Sequence, residues 1–133
     1  MKKFYPIFFL ITLAGCKKEK KAENMVVQAM VNGQWMVTNF TQGATNKTAD
    51  FILYKFQFKT NFTVDAINNG SVEKTGSWNA DASTQTITSN FINSSNPLDL
   101  LNGTWKITNN SWTWVEASQT VNGELRNLRL DKQ

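Results

Sequence analysis

The sequence predicts an all-β fold, an eight-stranded antiparallel up-and-down meander that closes into a small barrel. Between residues 34 and 130, β-branched or aromatic residues recur at alternate positions in short segments, which is the pattern of half-buried strands. Clusters of Asn, Gly, Asp and Ser separate these segments and are typical of tight turns. Closure into a barrel removes the two exposed edges that an open sheet would keep. A two-sheet β-sandwich is the alternative arrangement.

The alternation of apolar and polar side chains predicts the bounds of each strand and the face that is buried. The second segment shows it most clearly, because its large apolar residues all fall on one side of an extended chain. That side is formed by Ile52, Tyr54, Phe56 and Phe58. In the third segment, Phe62 shares a face with Val64 and Ala66. The eight predicted strands are 34–41, 52–58, 62–67, 72–79, 84–91, 103–109, 112–118 and 124–130.

The connections carry their own signals. Asn68-Asn69-Gly70 and Asn122-Gly123 favour hairpin turns, because Asn and Gly tolerate positive φ. Residues 93–101 show no alternation and are expected to form a loop, with one helical turn after Pro97. Residues 25–31 are compatible with a short helix or with an additional edge segment.

The N-terminus predicts export. Lys2 and Lys3 precede an uncharged, mostly apolar run of eleven residues, 4–14, which is shorter than the roughly 20 residues of a membrane-spanning helix. Residues 1–15 therefore match a secretory signal peptide. The run ends in Leu13-Ala14-Gly15-Cys16, which resembles the bacterial lipobox. The resemblance implies removal of residues 1–15 and attachment of lipid, including palmitate, to Cys16.

Residues 16–23 are predicted to be a flexible basic tether. After Cys16 they read KKEKKAE, and such a polar segment cannot bury a core. Lys17 does not resemble the Asp that retains lipoproteins at the inner membrane, so we expect an outer-membrane lipoprotein. An acidic run after the lipidated Cys directs some lipoproteins to the cell surface. The basic character here favours the periplasmic face.

Residues 24–133 are predicted to form one domain, and its composition excludes several classes of function. From residue 24 onward, eight Lys and Arg balance eight Asp and Glu, so the basic patch expected for nucleic-acid binding is missing. The chain contains no His, and its one Cys is assigned to lipidation. We therefore expect no metal, no cofactor and no enzymatic activity.

A series of short motifs resembles the lipocalin-like, calycin-type domains of small envelope lipoproteins from Bacteroidota-type bacteria. The motifs are Gly33-Gln34-Trp35, Tyr54-x-Phe56-x-Phe58, Gly76-Ser77-Trp78, Leu101-Asn102-Gly103-Thr104-Trp105-Lys106-Ile107 and Asn122-Gly123-Glu124-Leu125. The resemblance implies that Trp35 plugs one end of the barrel. It also implies that an Arg near the last strand packs across this Trp. Arg129 is favoured for that position over Arg126.

The aromatic residues leave two functions open. The first is a small hydrophobic ligand held in an apolar cup. Its candidate contacts are Tyr54, Phe56, Phe58, Trp112, Trp114 and Glu116. The second is a filled barrel that serves as a structural or interaction lipoprotein, as an accessory subunit of an envelope protein complex. In that case the aromatics form the core, or the Trp pair faces a partner.

Overall fold

The computed structural model describes residues 25–133, and within this range one antiparallel sheet closes on itself. The predicted signal peptide (1–15), Cys16 and the tether (16–23) lie outside the described residues. Two short 3-10 turns, Thr48–Phe51 and Leu98–Leu101, interrupt the strands. In chain order the strands are β1 (Trp35–Gln42), β2 (Thr45–Asn46), β3 (Tyr54–Phe58), β4 (Thr63–Asn68), β5 (Ser71–Asp81), β6 (Thr86–Asn90), β7 (Gly103–Asn110), β8 (Trp114–Val121) and β9 (Glu124–Lys132).

The first and last long strands close the barrel. β1 pairs with β9 from Trp35 opposite Lys132 to Gln42 opposite Arg126, with one irregularity after Val37. β3 to β9 follow one another as antiparallel neighbours. The two-residue β2 pairs with the end of β1 and stands outside this ring. The predicted eight-stranded meander barrel is therefore confirmed, and the two-sheet sandwich was not adopted.

Antiparallel connections alternate between the two ends of the barrel. The helix end comprises residues 25–33, the turns 59–62, 82–85 and 111–113, and the C-terminus. The loop end comprises segments 43–53, 69–70, 91–102 and 122–123. Each end has its own closing elements, and these decide how much of the interior is accessible.

Residues 25–31 form a helix, one of the two structures that the sequence left open. Met30 is buried against the barrel, and its carbonyl oxygen accepts a 2.8 Å hydrogen bond from Nε1 of the fully buried Trp35. At the loop end, Phe51 ends the first 3-10 turn and Leu98 begins the second, and both are buried. The helical turn expected after Pro97 is thus present.

Several predicted boundaries were wrong for local reasons. Ile52 follows a 3-10 turn and is exposed, so it does not share the buried face of Tyr54. Phe62 has a φ of +65°, which breaks the alternation before β4 begins. Trp112 lies in a turn, where Ser111 N–H donates to the carbonyl oxygen of Trp114 at 2.8 Å. β8 therefore begins two residues later than predicted.

Candidate functional site

The interior of the barrel is filled by side chains. Phe56 and Phe58 point inward and are buried, as the alternation predicted. Between them and the opposite strands lies an apolar cavity of about 50 Å³. Small-molecule sites usually have volumes of roughly 300–1,000 Å³, so this space holds a few atoms and no lipid chain. Its lining consists of Met30, Phe56, Phe58, Val64, Ile87, Ser89, Phe91, Leu101, Trp105, Val115, Ala117, Leu128 and Leu130.

Tyr54 belongs to a polar cluster at the loop end of β3. Its hydroxyl donates to the carboxylate of Glu73 at 2.9 Å, and Asn68 Nδ2 donates to the same Glu73 oxygen at 2.8 Å. Burial, followed by the nearby Glu73 carboxylate, raises the pKa of Tyr54. The hydroxyl is therefore kept protonated as a donor and holds the β4–β5 hairpin in place.

Trp114 and Glu116 lie on the outer face of the barrel. Val115 and Ala117 are the buried residues of β8, so Trp114 and Glu116, which alternate with them, point outward. The Arg129 guanidinium carbon lies 4.7 Å from the centroid of the Trp114 ring. The same guanidinium lies 3.5 Å from the Glu116 carboxylate. These two residues therefore do not line an interior cup.

The cation beside Trp35 is Lys132 and not Arg129, which corrects the role that the resemblance implied. Lys132 Nζ lies 5.2 Å from the centroid of the Trp35 ring. In β9, Leu128 and Leu130 are buried, so the residue between them points outward. Arg129 instead donates to Asp131 at 2.9 Å, and this hydrogen bond lowers the pKa of the Asp131 carboxyl.

Arg126, the other candidate, faces the interior at the opposite end of β9. Its Nη1 donates to Gln119 Oε1 at 3.0 Å and approaches the Leu100 carbonyl oxygen at 3.4 Å. Both contacts hold the 91–102 loop and β8 together. Arg126 therefore belongs to the closure of the loop end and makes no contact with Trp35.

A second, more open hollow lies at the helix end, between the helix and strands β7 and β8. Its volume is about 170 Å³. Trp112 is 52% exposed beside this hollow and Met25 is 46% exposed on its other side. Met25, Val26, Ala29 and Met30 recur at helical spacing, but residues 25–31 are too short a segment for this pattern alone to predict the wall. The lining is Met25, Val26, Ala29, Met30, Ile87, Ile107, Asn110, Ser111, Trp112 and Val115.

Exposed aliphatic side chains distinguish the loop end. Four of them, Ile52, Leu53, Val72 and Ile92, are called here the loop-end patch, and Leu125 is also exposed at this end. Backbone and side-chain bonds join the segments that carry them, since Asn69 N–H donates to the Leu53 carbonyl oxygen at 2.9 Å. Lys74 Nζ donates to the Ile92 carbonyl oxygen at 2.7 Å. The sequence pattern placed Ile52 on the same strand face as Tyr54, so it did not predict this surface.

Within residues 25–133, no group of three or more His, Cys, Asp or Glu side chains is placed to hold a metal ion. No helix in the same range has the length and apolar character that crossing a bilayer requires.

Among solved structures, the crystal structure of a DUF4847 family protein from Bacteroides vulgatus ATCC 8482 is similar to this chain. The two match with a TM-score of 0.57 and 16% sequence identity, over 81% of this chain and 99% of the other. At this identity the likeness supports the fold alone, and a lipocalin-like barrel fits that fold. No model of a known protein family and no curated protein matches the chain.

Proposed function

We propose that this chain is an envelope lipoprotein whose filled barrel acts as an interaction module, an accessory subunit of an envelope protein complex. The observation that carries the proposal is the interior volume of about 50 Å³. A barrel that is packed to this degree has no room to carry a lipid or pigment inside. Another molecule would then have to bind at one of the two ends of the barrel or on its outer face.

The anchor of the proposed lipoprotein is Cys16. Leu13-Ala14-Gly15-Cys16 follows a charged and then apolar start, and two or three acyl chains would hold the chain at a membrane permanently. The proposed location is the periplasmic face of the outer membrane. Metabolic labelling with an alkyne palmitate tests this step. Label is expected on the wild-type chain and not on Cys16→Ser, and equal labelling of both would refute the assignment.

The proposed partner surface is the loop-end patch. Large exposed aliphatic residues on neighbouring loops mark sites of protein–protein contact, and the fitting partner is an apolar surface of another envelope protein. Polar groups at the rim, such as Lys74 and Glu73, have hydrogen-bond partners of their own. The exposed aliphatic side chains are therefore the part of this end that a partner protein would cover.

Site-specific photo-crosslinking in cells tests the patch. A benzophenone side chain at Leu53 or at Ile92 is expected to capture the same protein. One at Ser83, which is exposed at the helix end, is expected not to capture it. The Leu53→Asp substitution should abolish capture from position 92 without changing the circular dichroism spectrum. Capture that is equal at all three positions, or absent at both patch positions, would overturn the proposed surface.

The hollow of about 170 Å³ beside Trp112 supports a second candidate function, the binding of a ligand. A small hydrophobic ligand would bind there, at the helix end, and not between Phe56 and Phe58. Native mass spectrometry of the chain purified from its own membranes tests this. An adduct of one mass that is lost in Trp112→Ala and kept in Trp114→Ala would support it. A bare mass in the presence of added fatty acids and isoprenoids would exclude it.

A further inference from the structure

The helix end presents an apolar opening with two large side chains at its rim. Met25 begins the described part of the helix, and Trp112 occupies the β7–β8 turn across the hollow from it. About half of each side chain is exposed, 46% for Met25 and 52% for Trp112. The hydrogen bond from Ser111 N–H to the Trp114 carbonyl oxygen closes the turn that carries Trp112.

The position of Cys16 in the chain indicates which end of the barrel would lie near the membrane. Cys16 precedes Met25 by nine residues, and nine extended residues span at most about 30 Å. The tether is continuous with residue 25, which lies at the helix end. Residues 17–23 contain four Lys and two Glu, and such a basic segment beside an anchor is attracted to anionic head groups. Anchoring at Cys16 would therefore keep the helix end within about 30 Å of the lipid, and attraction of the tether to head groups would draw this end towards the bilayer.

We propose that the helix end docks on the surface of a lipid bilayer, with Trp112 and Met25 at the boundary between head groups and acyl chains. The inference rests on the proposed anchoring at Cys16. A Trp side chain suits this boundary because it pairs an apolar ring with one polar N–H. Met25 adds a flexible apolar side chain on the other rim of the hollow. Docking would leave the loop-end patch directed away from the bilayer and free for a protein partner.

Fluorescence quenching by brominated lipids tests the docking. The acylated chain is reconstituted in phosphatidylethanolamine–phosphatidylglycerol vesicles whose acyl chains carry bromine close to the head group. Trp35, Trp78 and Trp105 are buried in the barrel, so contact with lipid reports on the remaining Trp residues. We expect quenching in the wild type and in Trp114→Phe, and at least a threefold loss of quenching in Trp112→Phe.

Vesicle flotation in the same samples separates the two proposals. A chain that does not float refutes the anchoring and the docking together. A chain that floats but shows no quenching refutes the docking alone and leaves the anchoring intact. Quenching that persists in Trp112→Phe and disappears in Trp114→Phe would show that the outer face of β8 meets the bilayer, and it would also overturn the proposed orientation. Leu53→Ala, at the loop end, serves as the matched variant and should leave quenching unchanged.

Discussion

Strand β9 offers a matched pair of leucines that tests whether the barrel interior is close-packed. Leu128 points inward and is 8% exposed, whereas Leu125 is 50% exposed. Leu128→Ala removes three carbon groups, each worth about 0.8 kcal/mol on burial. The unfilled space adds to this loss, and comparable substitutions cost about 2.7–5.0 kcal/mol. We expect the free energy of unfolding to fall by about 2.5–4 kcal/mol, a large part of the roughly 5–15 kcal/mol typical of a domain.

Urea unfolding followed by circular dichroism measures this loss. The midpoint should move while the slope with urea stays constant, because the surface exposed on unfolding hardly changes. Leu125→Ala is the control and should alter the free energy of unfolding by less than about 1 kcal/mol. A loss below about 1 kcal/mol for Leu128→Ala would refute the filled interior. It would return the inner aromatic residues to consideration as ligand contacts.

Three further predictions concern packing, acidity and the outer face. Gly76→Ala should lower the free energy of unfolding by about 1–3 kcal/mol, because the added Cβ would lie 2.6 Å from a backbone carbonyl oxygen of β6. An unchanged urea midpoint would contradict this. The hydrogen bond from Lys59 holds the pKa of the buried Asp65 below its usual value, so its stabilising contribution is complete above about pH 4 and is lost as the pH falls towards the lowered pKa. The stability advantage of the wild type over Asp65→Asn should therefore shrink below about pH 4, and an advantage that is constant from about pH 3 to pH 7 would argue against the pairing. A double-mutant cycle of Arg129→Gln and Trp114→Leu, measured by thermal unfolding, should give a coupling of about 0.5–1 kcal/mol. A coupling of zero would show that the contact between Arg129 and Trp114 does not contribute to stability.

The alternation of residues predicted the barrel and its inner aromatic face but could not orient every strand. Tyr54, Phe56 and Phe58 alternate with polar residues, so their burial could be predicted. In β8 both faces carry apolar residues, and the largest of these side chains, Trp114, lies on the outer face. Val115 and Ala117 face inward and line the small interior cavity. That choice depends on the whole core and is not visible in one strand.

The ends of the barrel were the least predictable part, since they are set by tertiary contacts. Lys132 lies over Trp35 because β1 and β9 pair in a register that places these two residues opposite each other, and no local pattern fixes that register. Ile52 appeared to extend a strand but follows a 3-10 turn. Residues 25–31 form a segment of seven positions, which is too short for periodicity alone to separate a helix from a strand.

The closure of the barrel by its last strand has a consequence for biosynthesis. β9 fits between β1 and β8, and Lys132 meets Trp35 across nearly the full length of the domain. Folds dominated by such distant pairings acquire their final topology late and slowly. A chain that emerges N-terminus first at the site where it folds keeps the β9-facing edge of β1 unpaired until its last residues emerge, and unpaired edges invite aggregation. The last strand therefore protects this edge, and loss of only the last ten residues would leave a permanently open sheet.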